Sequence, residues 1–321
     1  PPVSTGGRAT GCTVETQRLS HQNAIDAARN LSERNRLGQY PTRFDLASVI
    51  VRQALIHVEP GAALTFLEPA LATGAFFSAL RAEVGDNIVL AQADGVEIDP
   101  KYVEIAQRLW GGEGLQVHRA DFFDFAAEPL HRGRYNFLCT NPPYVRHHHL
   151  PSSYKLALQA RVAQALGLRV SGLSGLYIYF VLLADALLAD GAVATWLLPA
   201  EFMYVNYGQA LRDYLTRHVT LLSLHQFDPD EVQFDDALVS SCVVTYRKTP
   251  PDAESTFQLS FGGNLAAPRL NRPVAAKTAA ESAKWPVLHS AASGEDRSLL
   301  LTVGDLFAIK RGLATGANDF F

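Results

Sequence analysis

The sequence is poor in cysteine, with only Cys12, Cys139 and Cys242 in 321 residues, and none of them stands at metal-ligand or disulfide spacing. That excludes a zinc ribbon or a disulfide framework and fits free thiols in a reducing cytoplasm. Long apolar runs are missing too. No stretch approaches the roughly 20 residues a membrane helix needs, and the opening "PPVSTGG" has no apolar signal region, so no membrane partner is expected. Positive charge is not in excess, with 28 Lys and Arg against 32 Asp and Glu and a formal net charge of −4. A global basic signature for nucleic acid is therefore absent, and any contact with a polyanion has to come from a local face. There is no Gly-Lys-Ser/Thr phosphate loop and no internal repeat. The chain starts without a methionine and stops at "GANDFF", which reads as part of a longer protein.

What is present is a large apolar fraction, 48%, arranged in alternating segments. A polar, helix-compatible arm occupies the first 37 residues. "DLASVIVRQALIHV" follows as an amphipathic helix. Short apolar strands then alternate with helices: "LTFLEPA", "IVLAQADGVEID", "LQVHRAD", "YNFLCT", "AVATWLLP", "VTLLSLHQF" and "ALVSSCVVTYRK" are the strands. The apolar segment "GLYIYFVLLADALLADG" is expected to be a helix ending at Gly191. This alternation predicts an α/β, Rossmann-like, mostly parallel seven-stranded sheet with helices on both faces and an antiparallel edge strand. After Lys248 the texture becomes Pro- and Ala-rich. The expected division is an arm at 1–37, a catalytic domain at 38–250, a linker at 251–300 and the start of a further domain at 301–321.

In an open α/β sheet, ligands bind beyond the carboxyl ends of the strands, so the residues at those ends carry the functional signal. Glu68 closes the first strand, and Gly74 allows close backbone approach where the next helix begins. A carboxylate at this tip repels phosphate and suits a ligand with positive charge. Glu97 ends the second strand, where a carboxylate can accept from both hydroxyls of a ribose. Asp99 before Pro100 is a helix N-cap. The run Asp99-Pro100-Lys101 fits part of a nuclease pattern, but it sits in a ligand turn. Asp121 ends the third strand and can accept from an exocyclic amine, and Phe122 can lie on a purine face. A nucleoside with a cationic neighbour and no triphosphate meets these demands, and S-adenosyl-L-methionine is such a ligand.

The fourth strand ends in "NPPYVRHHH", residues 141–149. Pro142 has no amide hydrogen and Pro143 restrains it to an extended conformation, so the tip is stiff. The Asn141 amide oxygen and the Pro142 carbonyl form two acceptors for one amino group. They favour a nitrogen that becomes tetrahedral and positive as it attacks a methyl. Tyr144 supplies a flat surface for a planar substrate. His147, His148 and His149 invite a metal reading, but adjacent side chains on a short loop rarely converge on one ion and methyl transfer needs none. With Arg146 they fit phosphate contact or a solvated face.

Together these motifs resemble the gamma class of N6-adenine DNA methyltransferases from bacterial restriction–modification systems, over roughly residues 30–250. The resemblance implies transfer of a methyl from S-adenosylmethionine to the N6 amino group of an adenine flipped out of double-stranded DNA, leaving S-adenosyl-L-homocysteine. It implies that Thr42 of "GQYPTRF" contacts the methionine carboxylate and that Glu68, Ala70 and Gly74 lie near the methionine moiety. Glu97 and Ile98 would hold the ribose, Asp121 and Phe122 the adenine. Asn141 and Pro142 would bind the target amino group, Asn141 bordering the cofactor as well, with Tyr144 on one face of the base and Phe234 on the other. "LEPALATG" departs from the common cofactor motif by placing Ala72 where a glycine is usual. A cognate restriction endonuclease, fused or separate, is a candidate partner. The same Asn-Pro-Pro-Tyr occurs in enzymes that methylate glutamine in release factors and in some RNA adenine enzymes, and a non-catalytic DNA-specificity subunit is the rival of another class.

Overall fold

The computed structural model describes residues 7–84, 88–228, 240–285 and 306–308. The chain divides into a unit at 1–289 and one at 290–321, and within the second only 306–308 are described. The expected start of a new domain at 301–321 therefore lies mostly outside the described residues.

Two helices, α1 (Gly7–Ala27) and α2 (Leu31–Leu37), form the arm. The first unit continues with α3 (Phe44–Leu55), β1 (Ala63–Glu68), α4 (Ala75–Glu83), β2 (Val89–Glu97), α5 (Pro100–Trp110), β3 (Leu115–Arg119), α6 (Phe122–Ala127) and β4 (Tyr135–Thr140). Then come α7 (Ser152–Leu166), α8 (Leu176–Ala184), β5 (Leu188–Pro199), α9 (Gln209–Arg217), β6 (Thr220–Gln226), β7 (Ser241–Arg247), β8 (Thr256–Asn264), β9 (Ala267–Ala275) and α10 (Ala276–Glu281).

The strand order is β3-β2-β1-β4-β5-β7-β6-β8-β9. Strands β1 to β5 pair in parallel, and the central β1, β4 and β5 are the largely buried apolar runs such a sheet requires. The helices pack in two groups: α4 against α1 and α3, and α8 against α6, α7 and α9. All nine residues of α8 are buried, which explains a helix that is apolar all round. That helix stops at Ala184, not Gly191. Leu188–Asp190 already belong to β5, and Gly191, at φ 79, turns the strand where its register against β4 shifts.

The sheet has nine strands rather than the expected seven. Strands β8 and β9 are the additional pair, and they form in the stretch that reads as a linker. Phe257 and Leu259 alternate inward along β8, a strand pattern hidden between proline-rich flanks. Strand β9 carries Pro268 and Pro273, which a sheet tolerates at its outermost strand. The antiparallel element is also placed differently. Strand β7 is inserted between β5 and β6, antiparallel to both, and β9 is the antiparallel strand at the edge.

Candidate functional site

The strand order switches between the parallel neighbours β1 and β4, with β2 and β3 leading away on one side and β5 on the other, so a crevice opens beyond their carboxyl ends. A cavity of about 320 Å³ occupies this place. Its wall includes Ala70 and Ala72 after β1, Glu97 and Ile98 at the end of β2, Asp121 and Phe122 after β3, and Asn141 and Pro142 after β4. The segment from Leu37 to Pro41, leading out of the arm, closes another side together with Gln22 and Arg36. Of the residues singled out from sequence, Ala70, Glu97, Ile98, Asp121, Phe122, Asn141 and Pro142 meet on this wall. Thr42, Glu68, Gly74 and Tyr144 are not on it. Phe234 lies outside the described residues.

Glu97 is placed by the loops it joins. Its Oε2 accepts from the Ala72 amide at 2.8 Å and its Oε1 from the Asp99 amide at 2.8 Å. A carboxylate has about four acceptor positions, so each oxygen keeps one for a hydroxyl. Burial raises the Glu97 pKa, and the amides of Asp99, Ala72 and Ile98 oppose that rise. The Ala72 amide bond also accounts for the departure from glycine. Ala72 has φ 46, the left-handed conformation that glycine adopts freely and alanine adopts at about 1–2 kcal/mol. The charge-assisted bond to Glu97 offsets that cost.

Asp121 caps α6 through the Phe123 amide at 2.7 Å, and its Oδ2 accepts from the Tyr154 hydroxyl at 2.8 Å. Phe122 stacks on Phe180 at 4.5 Å and 14°, which fixes its plane beside the cavity. Tyr154, from α7, also lies on the wall; nothing in the sequence marks it apart from other exposed-looking helix residues.

Glu68 and Gly74 serve the loop. The Glu68 carboxyl is buried and receives the amides of Phe76 at 3.3 Å and Phe77 at 2.9 Å at the start of α4. Burial pushes its pKa up to about 8 against those two amides and Arg18. A Cβ on Gly74, at φ 83, would lie 2.6 Å from Trp110 Nε1, whose hydrogen goes to the Thr73 carbonyl at 2.8 Å. Thr73 in turn is held by the arm: it accepts from buried Arg18 at 3.0 Å and donates to Gln22 at 2.8 Å. Glu15 and Arg18 look like a solvated i,i+3 pair in sequence, yet Arg18 is 1% exposed.

The tip after β4 is anchored at several points. The Asn141 amide nitrogen donates to the Tyr40 carbonyl at 2.9 Å and to Thr42 Oγ1 at 3.1 Å. Its Oδ1 is buried and has no hydrogen-bond partner. The Tyr144 amide donates to the Gly38 carbonyl at 3.0 Å, and the Tyr144 hydroxyl to the Leu197 carbonyl at 3.0 Å. Its ring is buried beside Tyr40 and Tyr177. Gly38, at φ 64, has no room for a side chain: a Cβ would lie 2.5 Å from the Tyr144 and Val145 amides. Gly38→Ala combines a left-handed alanine with a backbone overlap and is expected to cost roughly 2–4 kcal/mol. Urea unfolding checks this; a loss below about 1 kcal/mol would mean that the segment relaxes away from the tip.

Cys139 is fully buried in β4, and burial together with Glu68 holds its thiol well above the usual range, which disfavours the reactive thiolate. His147–His149 form a short 3₁₀ turn whose last residue, His149, lines the cavity. No group of three metal-ligating side chains is found among the described residues, and no helix there is long and apolar enough to cross a membrane.

Residues 112–234 match the family model described as Eco57I restriction-modification methylase. The chain is 26% identical over 272 residues to the type II methyltransferase M.XamI of Xanthomonas campestris pv. amaranthicola, covering 81% of this chain and 49% of that protein. It is 23% identical over 307 residues to the type II methyltransferase M.AccI of Acinetobacter calcoaceticus, covering 91% and 54%. The chain thus spans about half the length of these relatives. Its fold is similar to that of a type I restriction-modification methyltransferase subunit from Streptococcus thermophilus, with a TM-score of 0.57, 15% identity, and 80% of this chain and 54% of that one covered. The resemblance to a restriction–modification methylase read from the motifs is borne out, without the gamma class being specified, and the fold is also similar to that of a class I S-adenosylmethionine-dependent methyltransferase from Listeria monocytogenes, with a TM-score of 0.59, 14% identity, and 79% of this chain and 73% of that one covered.

Proposed function

We propose that this chain carries the catalytic centre of a gamma-class DNA methyltransferase that modifies the N6 amino group of a flipped adenine, within a restriction–modification system. The observation that carries the reading is the Asn141 amide: both hydrogens are spent on the Tyr40–Thr42 segment, and the oxygen is buried with no donor. A buried acceptor without a partner costs about 1–3 kcal/mol, and it is retained where a ligand supplies the donor. An exocyclic amino group does so, with the neighbouring Pro142 carbonyl taking its second hydrogen. Drawing off both hydrogens favours a tetrahedral nitrogen whose lone pair is no longer delocalised into the ring.

The cavity fits S-adenosylmethionine. Its volume falls in the range of small-molecule sites, its free acceptors are those of Glu97 and Asp121, and their negative charge disfavours a triphosphate. Glu97 and Ile98 would hold the ribose, Asp121 the adenine amine, and Phe122 an adenine face. Ala70 and the loop that Glu68 and Gly74 shape would border the methionine moiety. When bound, the cofactor supplies an electrophilic methyl group.

Double-stranded DNA is the proposed substrate, with a cognate endonuclease, fused or separate, as partner. Extruding a base costs a few kcal/mol. Stacking on the two aromatic residues that the resemblance implies, Tyr144 and Phe234, contributes about 1–3 kcal/mol per contact to offset it, and for Tyr144 this requires the edge of a largely buried ring to meet the base. The protein's site of action is then the cytoplasm, where chromosomal DNA lies.

The test is transfer of tritiated methyl by the full-length protein to unmethylated plasmid duplex, RNA and a release factor, with nucleoside analysis of the product. N6-methyladenine in duplex DNA is expected. Labelled glutamine or RNA alone would replace this reading. In-line transfer needs no thiol, so Cys139→Ser is expected to keep activity within about threefold, and its loss would indicate a covalent route.

A further inference from the structure

We propose that Thr42 is a positioning residue for Asn141: its hydroxyl fixes the catalytic amide by accepting one of its hydrogens. The proposal rests on the methyltransferase reading and assigns Thr42 a task beyond the one the family resemblance implies.

The Tyr40 carbonyl can only accept, so the group of Asn141 that faces it at 2.9 Å is the NH₂. Chemistry therefore fixes which way the amide points. That bond alone uses one hydrogen and leaves the amide able to rock. Thr42 Oγ1 at 3.1 Å takes the second hydrogen and makes the anchorage two-point. The remaining atom, Oδ1, is then presented in one direction and has no partner of its own. Thr42 is 8% exposed and off the cavity wall, while Leu37 to Pro41 are on it. One short segment thus borders the cofactor cavity and clamps the acceptor that meets the substrate.

The test uses full-length protein, S-adenosylmethionine and unmethylated plasmid duplex. Thr42→Val keeps the shape and removes the acceptor; Thr42→Ser keeps the acceptor. Thr42→Val is expected to lower the single-turnover methylation rate at saturating cofactor about 10- to 100-fold, the cost of a slightly misplaced group. Calorimetric affinity for S-adenosylmethionine should stay within about threefold, and Thr42→Ser should restore the rate. In an Asn141→Ala background, Thr42→Val should remove nothing further, since there is no amide left to hold. Retained cofactor affinity also shows that the variant is folded; Thr42→Ala, without the Val methyl groups, serves if Thr42→Val does not fold. Weakened cofactor affinity with an intact saturated rate would overturn the proposal in favour of a carboxylate contact. An unchanged rate in Thr42→Val would overturn it as well. Failure of the wild-type protein to methylate duplex while binding the cofactor would strike the functional reading itself, and it is seen in the control rather than in the variants.

Discussion

Asn141→Ala is expected to lower the rate of methyl transfer about 100- to 1000-fold, the range found when one preorganised polar group is removed from a reaction centre. Cofactor affinity should change by no more than about threefold. The reason for the split is geometric. The Asn141 amide is tied to Tyr40 and Thr42 through its nitrogen, and only its oxygen remains to act. The acceptors proposed to serve the cofactor belong to Glu97 and Asp121, at the ends of other strands. Asn141→Asp should be no rescue. A carboxylate oxygen would then face the Tyr40 carbonyl at hydrogen-bond distance, acceptor against acceptor, and the side chain would have to turn away. Single-turnover kinetics on plasmid duplex, with calorimetry on the same preparations, decides the matter. If both variants transferred methyl at a tenth of the wild-type rate or better, the orphan oxygen would have no role in the chemistry.

Those strand-tip residues were legible because a parallel α/β sheet leaves little choice about where its ligand sits. Glu97, Asp121, Phe122 and Asn141 each follow an apolar run by a residue or two, and counting strands was enough to bring them to one crevice. Glu68 obeys the same rule but is turned inward by the two amides of α4, and no local pattern announces that. The relation between Thr42 and Asn141 spans 99 positions and depends on the exact path of the Gly38–Thr42 segment, so it belongs to tertiary structure alone. The arm was readable as helical and polar. That Arg18 is buried against Thr73 was not, because its pairing with Glu15 has the spacing of an ordinary surface pair. The two extra strands were hidden for a different reason: Pro268 and Pro273 argue against a strand everywhere except at an outer edge, and edge position is a property of the finished sheet.

Glu97→Gln, chemically the smallest change available at this position, should weaken S-adenosylmethionine about 100-fold. The carboxylate spends one acceptor on the Ala72 amide and one on the Asp99 amide, leaving two for a diol. An amide has one oxygen. Whichever way it turns, its NH₂ meets a backbone N–H, donor against donor, and one ribose hydroxyl loses its acceptor. Hydrogen bonds to a charged group contribute about 1.5–3 kcal/mol each, and 100-fold corresponds to about 2.7 kcal/mol, so loss of one such bond with some slackening of the Ala72 loop suffices. The loop matters because Ala72 is left-handed and leans on that bond. A pH series separates the charge from the shape. Burial raises the Glu97 pKa above the usual carboxylate value, and the ionised form is the one that accepts from two hydroxyls. Protonation on acidification therefore removes affinity, and it begins at a higher pH than for an exposed glutamate. Calorimetry on the wild-type protein should show cofactor affinity falling as the pH drops through that raised value, and in Glu97→Gln the low affinity should lose this dependence. If the two proteins kept parallel pH profiles, some other group would be titrating, and Glu97 would no longer be the ribose acceptor.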